Sequence, residues 1–399
     1  MRTEPDQPSQ PRTRERKKRS KKSLKIAVFC WESLYSERVG GLAPVATHLA
    51  EMAAREHEVH FFTRGEGGEE EIAGVHYHYY APRGANIVEY CHDMSMGLLE
   101  RCMEQDRPPF DILHFHDWHF VDALQRVKDR KTILSFHSTE YGRNGGKFGD
   151  WWEFKEISGK EWFGANIAKT LTTVSETTRN EIIWLYHVPA EKIHAIPNGI
   201  NPDEYRVNVD PGAVRQKYGM HPVTPLVFFV GRLVYQKGPD MLLDAVPLIH
   251  KKRPDVQFLI AGEGYMRQYL EEKAGSLPVR FLGFVSNHDH LELLNSADIV
   301  VIPSRNEPFG LVLTEAWSAE RCVVASDVGG LAENIDNFVN GIKVPVRPES
   351  FAWGVNYLFE DPGCIRDFGL AGRRKVEDCF TWDTVGGRML EIYADAVKR

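Results

Sequence analysis

The sequence predicts an α/β protein built from two parallel sheets, one in each half of the chain, with helices packed against both. Three observations predict it. From residue 25 onward, short β-branched or aromatic runs alternate with longer helical patterns, as in βαβ units. The runs form two series, and the turn-rich stretch 197–222 separates them through Pro197-Asn198-Gly199, Asn201-Pro202 and Asp210-Pro211-Gly212. The chain has 399 residues, about twice the length of a typical domain.

In the first half the expected strands are 25–30 (KIAVFC), 58–63, 75–80, 111–116 (DILHFH), 131–136 (KTILSF) and 170–174. In the second half they are 225–230 (PLVFFV), 255–261 (DVQFLIA), 278–282, 298–303 (DIVVIP), 322–326 (CVVAS) and 341–344. An amphipathic helix follows Trp382-Asp383 over roughly 382–398. The resulting organisation is a disordered basic tail (1–23), a first α/β domain (24–206), a second (207–381) and a last helix (382–399).

Composition narrows the class. With 42 % apolar and 26 % charged residues, the chain reads as an ordinary soluble globular protein. Residues 1 to 25 carry ten Lys/Arg against three acids, so that stretch is net +7 and the remainder net −14. Such a tail buries too little apolar surface to offset its ordering entropy and is expected to be a solvated arm. Its charge allows weak contact with a polyanion but specifies no nucleic acid. Only Ile26 to Cys30 follow it as an apolar run, shorter than the about seven to fifteen residues of a secretory signal. No segment reaches the roughly twenty apolar residues of a membrane span. The six cysteines have no paired ligand spacing and read as reduced thiols, so a cytoplasmic location is expected.

The chemistry-bearing residues sit at carboxyl ends of expected strands, where open α/β sheets bind ligands. Gly40-Gly41 follows strand 25–30. His116-Asp117 ends 111–116, and His137 ends 131–136. Arg232 and Lys237 follow 225–230, while Glu307 follows 298–303. The most informative segment is Asn306-Glu307-Pro308-Phe309-Gly310-Leu311-Val312-Leu313-Thr314-Glu315-Ala316, a strand end, a turn and a helix start. The amides of Gly310, Leu311 and Val312 would point outward as an anion site. Glu315 could accept from a ribose diol and Glu307 from sugar hydroxyls; read alone, the two are equally a surface acid and a capping acid.

Arg232 and Lys237, five residues apart in a loop, suit a diphosphate whose charge grows as a glycosidic bond breaks; read alone, they are also ordinary solvated cations. Gly40-Gly41 allows backbone to approach a phosphate and is equally compatible with an empty tight turn. His137 reads alternatively as a buried, satisfied imidazole. His114 and His116 share a strand face, but no second Cys/His pair accompanies them and the chain contains no Asp-x-Asp, so metal-independent chemistry is expected, with no cofactor.

Glu307 and Glu315 with the Pro-Phe-Gly turn between them resemble the signature of retaining glycosyltransferases with the GT-B fold, family 4 and the glycogen and starch synthases above all. Arg232/Lys237, Gly40-Gly41, His137, the His114–His119 segment HFHDWH, Pro197-Asn198-Gly199 and Val328-Gly329-Gly330 match that pattern in order, so the resemblance spans nearly all of residues 24–399. It implies two Rossmann-like domains facing each other across a cleft, a nucleotide diphosphate sugar as donor and a carbohydrate or other hydroxyl acceptor.

By the resemblance, Arg232 and Lys237 bind the donor diphosphate, Glu307 contacts the transferred sugar and Glu315 holds the ribose. Gly310, Leu311 and Val312 complete the phosphate site, Gly40 and Gly41 close over it, His137 contacts the sugar near the reacting carbon with Asp117 nearby, and the final helix crosses back to the first domain. HFHDWH and VGGLA are most similar to archaeal-type glycogen synthases, which implies a glucosyl donor, UDP- or ADP-linked. Arg38 departs from the lysine usual there, and 138–168, where an acceptor would bind, matches no assigned pattern. The competing readings are a lipid or small-molecule acceptor, a sugar-nucleotide epimerase or phosphorylase on the same architecture, and a catalytically silent sugar-binding protein. A nicotinamide oxidoreductase is disfavoured because no G-x-G-x-x-G follows a strand.

Overall fold

The computed structural model describes residues 23–37 and 40–398. The basic tail up to residue 22, with the polyanion contact expected of it, and Arg38 and Val39 of the glycine loop lie outside the described residues.

The strands of the first half are β1 Lys25–Phe29, β2 Glu58–Arg64, β3 Gly68–Ile72, β4 Val75–Tyr80, β5 Ile112–His116, β6 Thr132–Phe136, β7 Thr170–Thr173 and β8 Ile193–Ala195. Those of the second half are β9 Leu226–Val230, β10 Gln257–Ala261, β11 Val279–Gly283, β12 Ile299–Ile302, β13 Cys322–Ser326 and β14 Ile342–Val344. They form an eight-stranded sheet in the order β3-β4-β2-β1-β5-β6-β7-β8 and a six-stranded sheet in the order β11-β10-β9-β12-β13-β14. Neighbours run parallel except in the β3–β4 hairpin. Each of the twelve runs read from the sequence overlaps one of these strands; β3 and β8 are additional.

Both faces of each sheet are covered, which is why the strands read as nearly continuous apolar runs. In β1, Ala27 and Phe29 pack with Met94, Leu98 and Leu124, while Ile26 and Val28, with Cys30 just beyond the strand, pack with Val45, Leu49 and Tyr393. In β9, Val227 and Phe229 face Leu242, Val246 and Phe351, and Leu226 and Phe228 face Leu313 and Trp317. The described cysteines are free thiols, four of them buried. No helix among the described residues is long and apolar enough to cross a membrane.

The chain passes between the sheets twice, and the two crossings lie side by side: Ile200 pairs with Thr381, and its amide donates to the Phe380 carbonyl at 2.7 Å. After the second crossing, helix Trp382–Lys398 packs on helix Leu42–Ala54, and the Tyr393 hydroxyl meets His114 Nδ1 at 2.8 Å. The halves also touch away from the crossings. Ser175 Oγ donates to the Pro308 carbonyl at 2.7 Å. The Glu333 carboxylate accepts from the amides of Glu176 and Thr177 at 3.3 and 3.2 Å, at the positive end of helix Glu176–Tyr186.

Candidate active site

On the second sheet, β9 ends at Val230 and β12 at Ile302, adjacent strands whose following loops carry Arg232, Lys237 and Glu307. The Lys237 ammonium donates to both Glu307 oxygens, at 2.9 and 2.7 Å, and Ser304 Oγ donates to Oε2 at 2.9 Å. Glu307 is 7 % exposed, so three hydrogen bonds from two donor groups hold a carboxylate that is nearly removed from bulk water. Arg232 stays open to solvent, bonded to Gln236 Oε1 at 3.2 Å, within electrostatic reach of Glu307 on its own side and of Glu32 and Arg143 on the other.

Gly310 has φ +98° and caps helix Leu311–Ser318. Among the described residues the amides of Gly310, Leu311 and Val312 make no backbone hydrogen bond, as expected at a helix start. The turn is braced from behind by Val328-Gly329-Gly330: the Gly330 amide donates to the Glu307 carbonyl at 2.8 Å, and a Cβ on Gly329, which has φ +52°, would lie 2.0 Å from that carbonyl oxygen. Only glycine fits so close to the backbone of the residue that carries the carboxylate. Glu315 stands apart from this group, with Tyr205 OH at 3.4 Å and His290 Nε2 at 3.6 Å as its partners.

On the first sheet, β5 and β6 are neighbours with His116 opposite Ser135, which places Asp117 and His137 side by side beyond the strand ends. The His137 amide donates to Asp117 Oδ1 at 2.8 Å, and its Nε2 lies 2.9 Å from His116 Nδ1. Asp117 has φ 57° and ψ −175°, a region occupied almost solely by glycine. It is held there by this bond and by its own amide donating to the Ser135 carbonyl at 2.8 Å. Burial lowers the pKa of His137, with Asp117 opposing, and drives His116 well below the ordinary imidazole value, so both rings are neutral near pH 7. One ring nitrogen of His137 is thus satisfied inside the protein, and the ring is half-buried at the strand end.

Gly41 meets the second half. The Gly40 amide donates to Glu32 Oε2 at 3.0 Å, and a Cβ on Gly41 would come within 2.4 Å of a Leu311 methyl group. The segment after His137 meets the loop before Glu307: Gly142 packs against Asn306, whose side-chain amide donates to Glu181 at 3.3 Å. Lys147 Nζ donates to the Tyr235 hydroxyl at 2.7 Å, and the Arg305 guanidinium lies 3.9 Å from the centre of that ring. Beneath the segment, Arg143 pairs with Glu140 at 2.8 Å and with Glu161, whose carboxyl is pushed up to about 7 by burial against the opposing pull of Arg143.

Sequence reasoning passed over Glu32, Ser304 and Tyr235 as members of this neighbourhood, and it named His116 without its contact to His137. A signal existed for the first two, because Glu32 also follows a strand end and Ser304 stands three residues before Glu307. Among the described residues no group of three or more His, Cys, Asp or Glu side chains is arranged to hold a metal ion.

Comparison with known proteins agrees with this architecture. Residues 39–204 match the family described as Glycosyltransferase Family 4, and residues 213–375 match Glycosyl transferases group 1. An uncharacterized glycosyltransferase of Methanocaldococcus jannaschii is 37 % identical over 94 % of this chain and 99 % of its own. The glycogen synthase of Mycobacterium tuberculosis is 31 % identical over 72 % of this chain and 69 % of its own. In structure, the catalytic domain of starch synthase IV from Arabidopsis thaliana, bound to ADP and acarbose, superposes with a TM-score of 0.75 over 95 % of this chain and 100 % of that one at 17 % identity, a likeness of fold. With a family match on either side of the crossings and a relative aligned almost end to end, this chain belongs to the family 4 type of glycosyltransferase and has the GT-B fold of two Rossmann-like domains.

Proposed function

We propose that this glycosyltransferase is a retaining, metal-independent hexosyltransferase that moves glucose from UDP- or ADP-glucose to a hydroxyl of a carbohydrate acceptor in the cytoplasm. The observation that carries the reading is the Lys237–Glu307 pair beside Arg232 and the Gly310–Val312 amides. In this reading two cations and a helix start stabilise the charge that a leaving diphosphate gains, as groups set in place before that charge appears. In this reading Arg232, Lys237 and the amides take the diphosphate, with Gly40 and Gly41 covering it. Glu307 orients the sugar and Glu315 the ribose. Neutral His137, aligned by Asp117, contacts the sugar from the first domain.

The bond between the anomeric carbon and the phosphate oxygen breaks, the acceptor oxygen bonds that carbon from the same face, and the acceptor proton passes to the departing phosphate. In this reading residues 24–206 form the acceptor domain and 207–381 the donor domain, with the last helix crossing back. The test is a screen of UDP-, ADP- and GDP-sugars for release of nucleotide and sugar, with and without excess EDTA. Release from a glucosyl donor that survives EDTA is expected. Loss with EDTA and rescue by magnesium or manganese contradicts metal independence, and no release from any donor contradicts the reading as a whole.

A further inference from the structure

The segment 138–168 builds more than a wall of the cleft. Helix Trp152–Ile167, helix Glu176–Tyr186 and the loop 144–151 enclose a pocket of about 240 Å³ lined by Tyr141, Phe148, Phe154, Ser158, Trp162 and Tyr186, among others. Phe154 and Tyr186 are its buried floor. Phe148 and Trp162 are its rim, 67 % and 51 % exposed, and Trp184, 55 % exposed, extends that rim with its ring centre 5.5 Å from Tyr141 and 6.0 Å from Phe148. The rings meet at steep angles, 52° between Tyr141 and Phe148 and 68° between Tyr141 and Trp184, so they do not cover one another face to face.

We propose that this pocket and its aromatic rim bind a neutral oligosaccharide. The proposal rests on the donor reading above, since it names the class of molecule brought beside that cleft. Charge selects the ligand: among the described residues no charged side chain lines the pocket, so a phosphorylated acceptor would find no cation in that lining. Shape selects it too. The volume is below the about 300–1,000 Å³ of sites that enclose a whole small molecule, which suits one ring of a chain whose other rings cross the open rim.

Chemistry selects a sugar over an alkyl chain. Pyranose rings present apolar C–H faces to aromatic faces and need hydrogen-bonding groups at their edges. The Ser158 hydroxyl, which no protein group engages among the described residues, supplies one. The segment that lines the pocket also reaches the candidate active site. Tyr141 is four residues beyond His137, and the loop that places Phe148 on the rim places Lys147 on Tyr235 of the donor half.

The test titrates maltoheptaose, cellohexaose and decanoate into the full-length protein, and into a Phe148→Ala/Trp162→Ala variant whose changes lie at exposed positions. Melting temperatures of both proteins are measured alongside. At least one oligosaccharide is expected to bind, and the variant to bind it about tenfold more weakly at an unchanged melting temperature. Binding of neither oligosaccharide, equal binding by the variant, or binding of decanoate alone overturns the proposal. UDP and ADP titrated into the same preparations read the donor site separately, so a failure there counts against the proposed donor and leaves the oligosaccharide result standing.

Discussion

Replacing Lys237 with alanine should separate what the Lys237–Glu307 pair does for stability from what it does for catalysis. The substitution removes two hydrogen bonds to Glu307, at 2.9 and 2.7 Å, and leaves the one from Ser304 at 2.9 Å. Stripping one partner from a fully buried ion pair costs about 3–5 kcal/mol. Here 23 % of the Lys237 side chain is exposed, so water can take over part of its role and the expected cost falls to roughly 1–3 kcal/mol. For a domain of this size, about 2 kcal/mol lowers the melting temperature by roughly 4–8 °C.

Turnover should fall further, by about 10²- to 10³-fold, the usual effect of losing one preorganised charge stabiliser. Adding Glu307→Gln removes the orphaned charge, so the double variant should recover most of the lost melting temperature and none of the turnover. Calorimetric melting and a donor-hydrolysis assay on the two variants measure both quantities. Near-normal turnover in Lys237→Ala, or recovery of turnover in the double variant, would refute the assignment of this pair to the diphosphate site.

Three further outcomes follow from the geometry. Glu315→Ala should raise the Michaelis constant for the donor and leave turnover nearly unchanged, because a ribose contact is similar in ground and transition states; a fall in turnover at constant Michaelis constant counts against it. Gly329→Ala should cost about 1–2 kcal/mol for the left-handed backbone alone and displace the Glu307 carbonyl besides, so melting temperature and turnover should drop together; wild-type values for both contradict the bracing role. Burial lowers His114 from 6.5 to about 3. Between those values the unfolded chain binds a proton that the folded chain does not, so stability falls as pH drops through this window, by about 1.4 kcal/mol per pH unit for that imidazole. Denaturant titrations between pH 7 and 5 should show the slope, and His114→Gln should flatten it; an unchanged slope contradicts a neutral buried His114.

The fold was legible because its strands are buried on both faces and announce themselves as apolar runs. The two missed strands lack that signal. β3 reads Gly-Glu-Glu-Glu-Ile, a largely exposed edge strand held by its hairpin, and β8 spans only three residues. Within the candidate site, the second-half residues stood out because one strand end, one turn and one helix start carry Glu307 to Glu315 in succession, and Arg232 and Lys237 follow another strand end. The first-half arrangement depends on register. That His116 would meet His137 follows from β5 pairing with β6 so that His116 faces Ser135, and no sequence spacing states that. Asp117 likewise gives no warning of its unusual backbone, which arises from the two hydrogen bonds that hold it. The 138–168 segment stayed unassigned for a different reason: its aromatic residues lack a helical stripe and converge only once two helices and a loop have packed.

The most direct test of the central claim is a proton NMR time course of the wild-type protein with UDP-glucose and with ADP-glucose, following the anomeric signals of the first product formed. The account predicts nucleotide release with an α-configured product first, from at least one donor, and both signals slowed by about 10²- to 10³-fold in Lys237→Ala. A β-configured first product would contradict retention, and the absence of cleavage of either donor would contradict the assignment of the cleft to a glucosyl nucleotide.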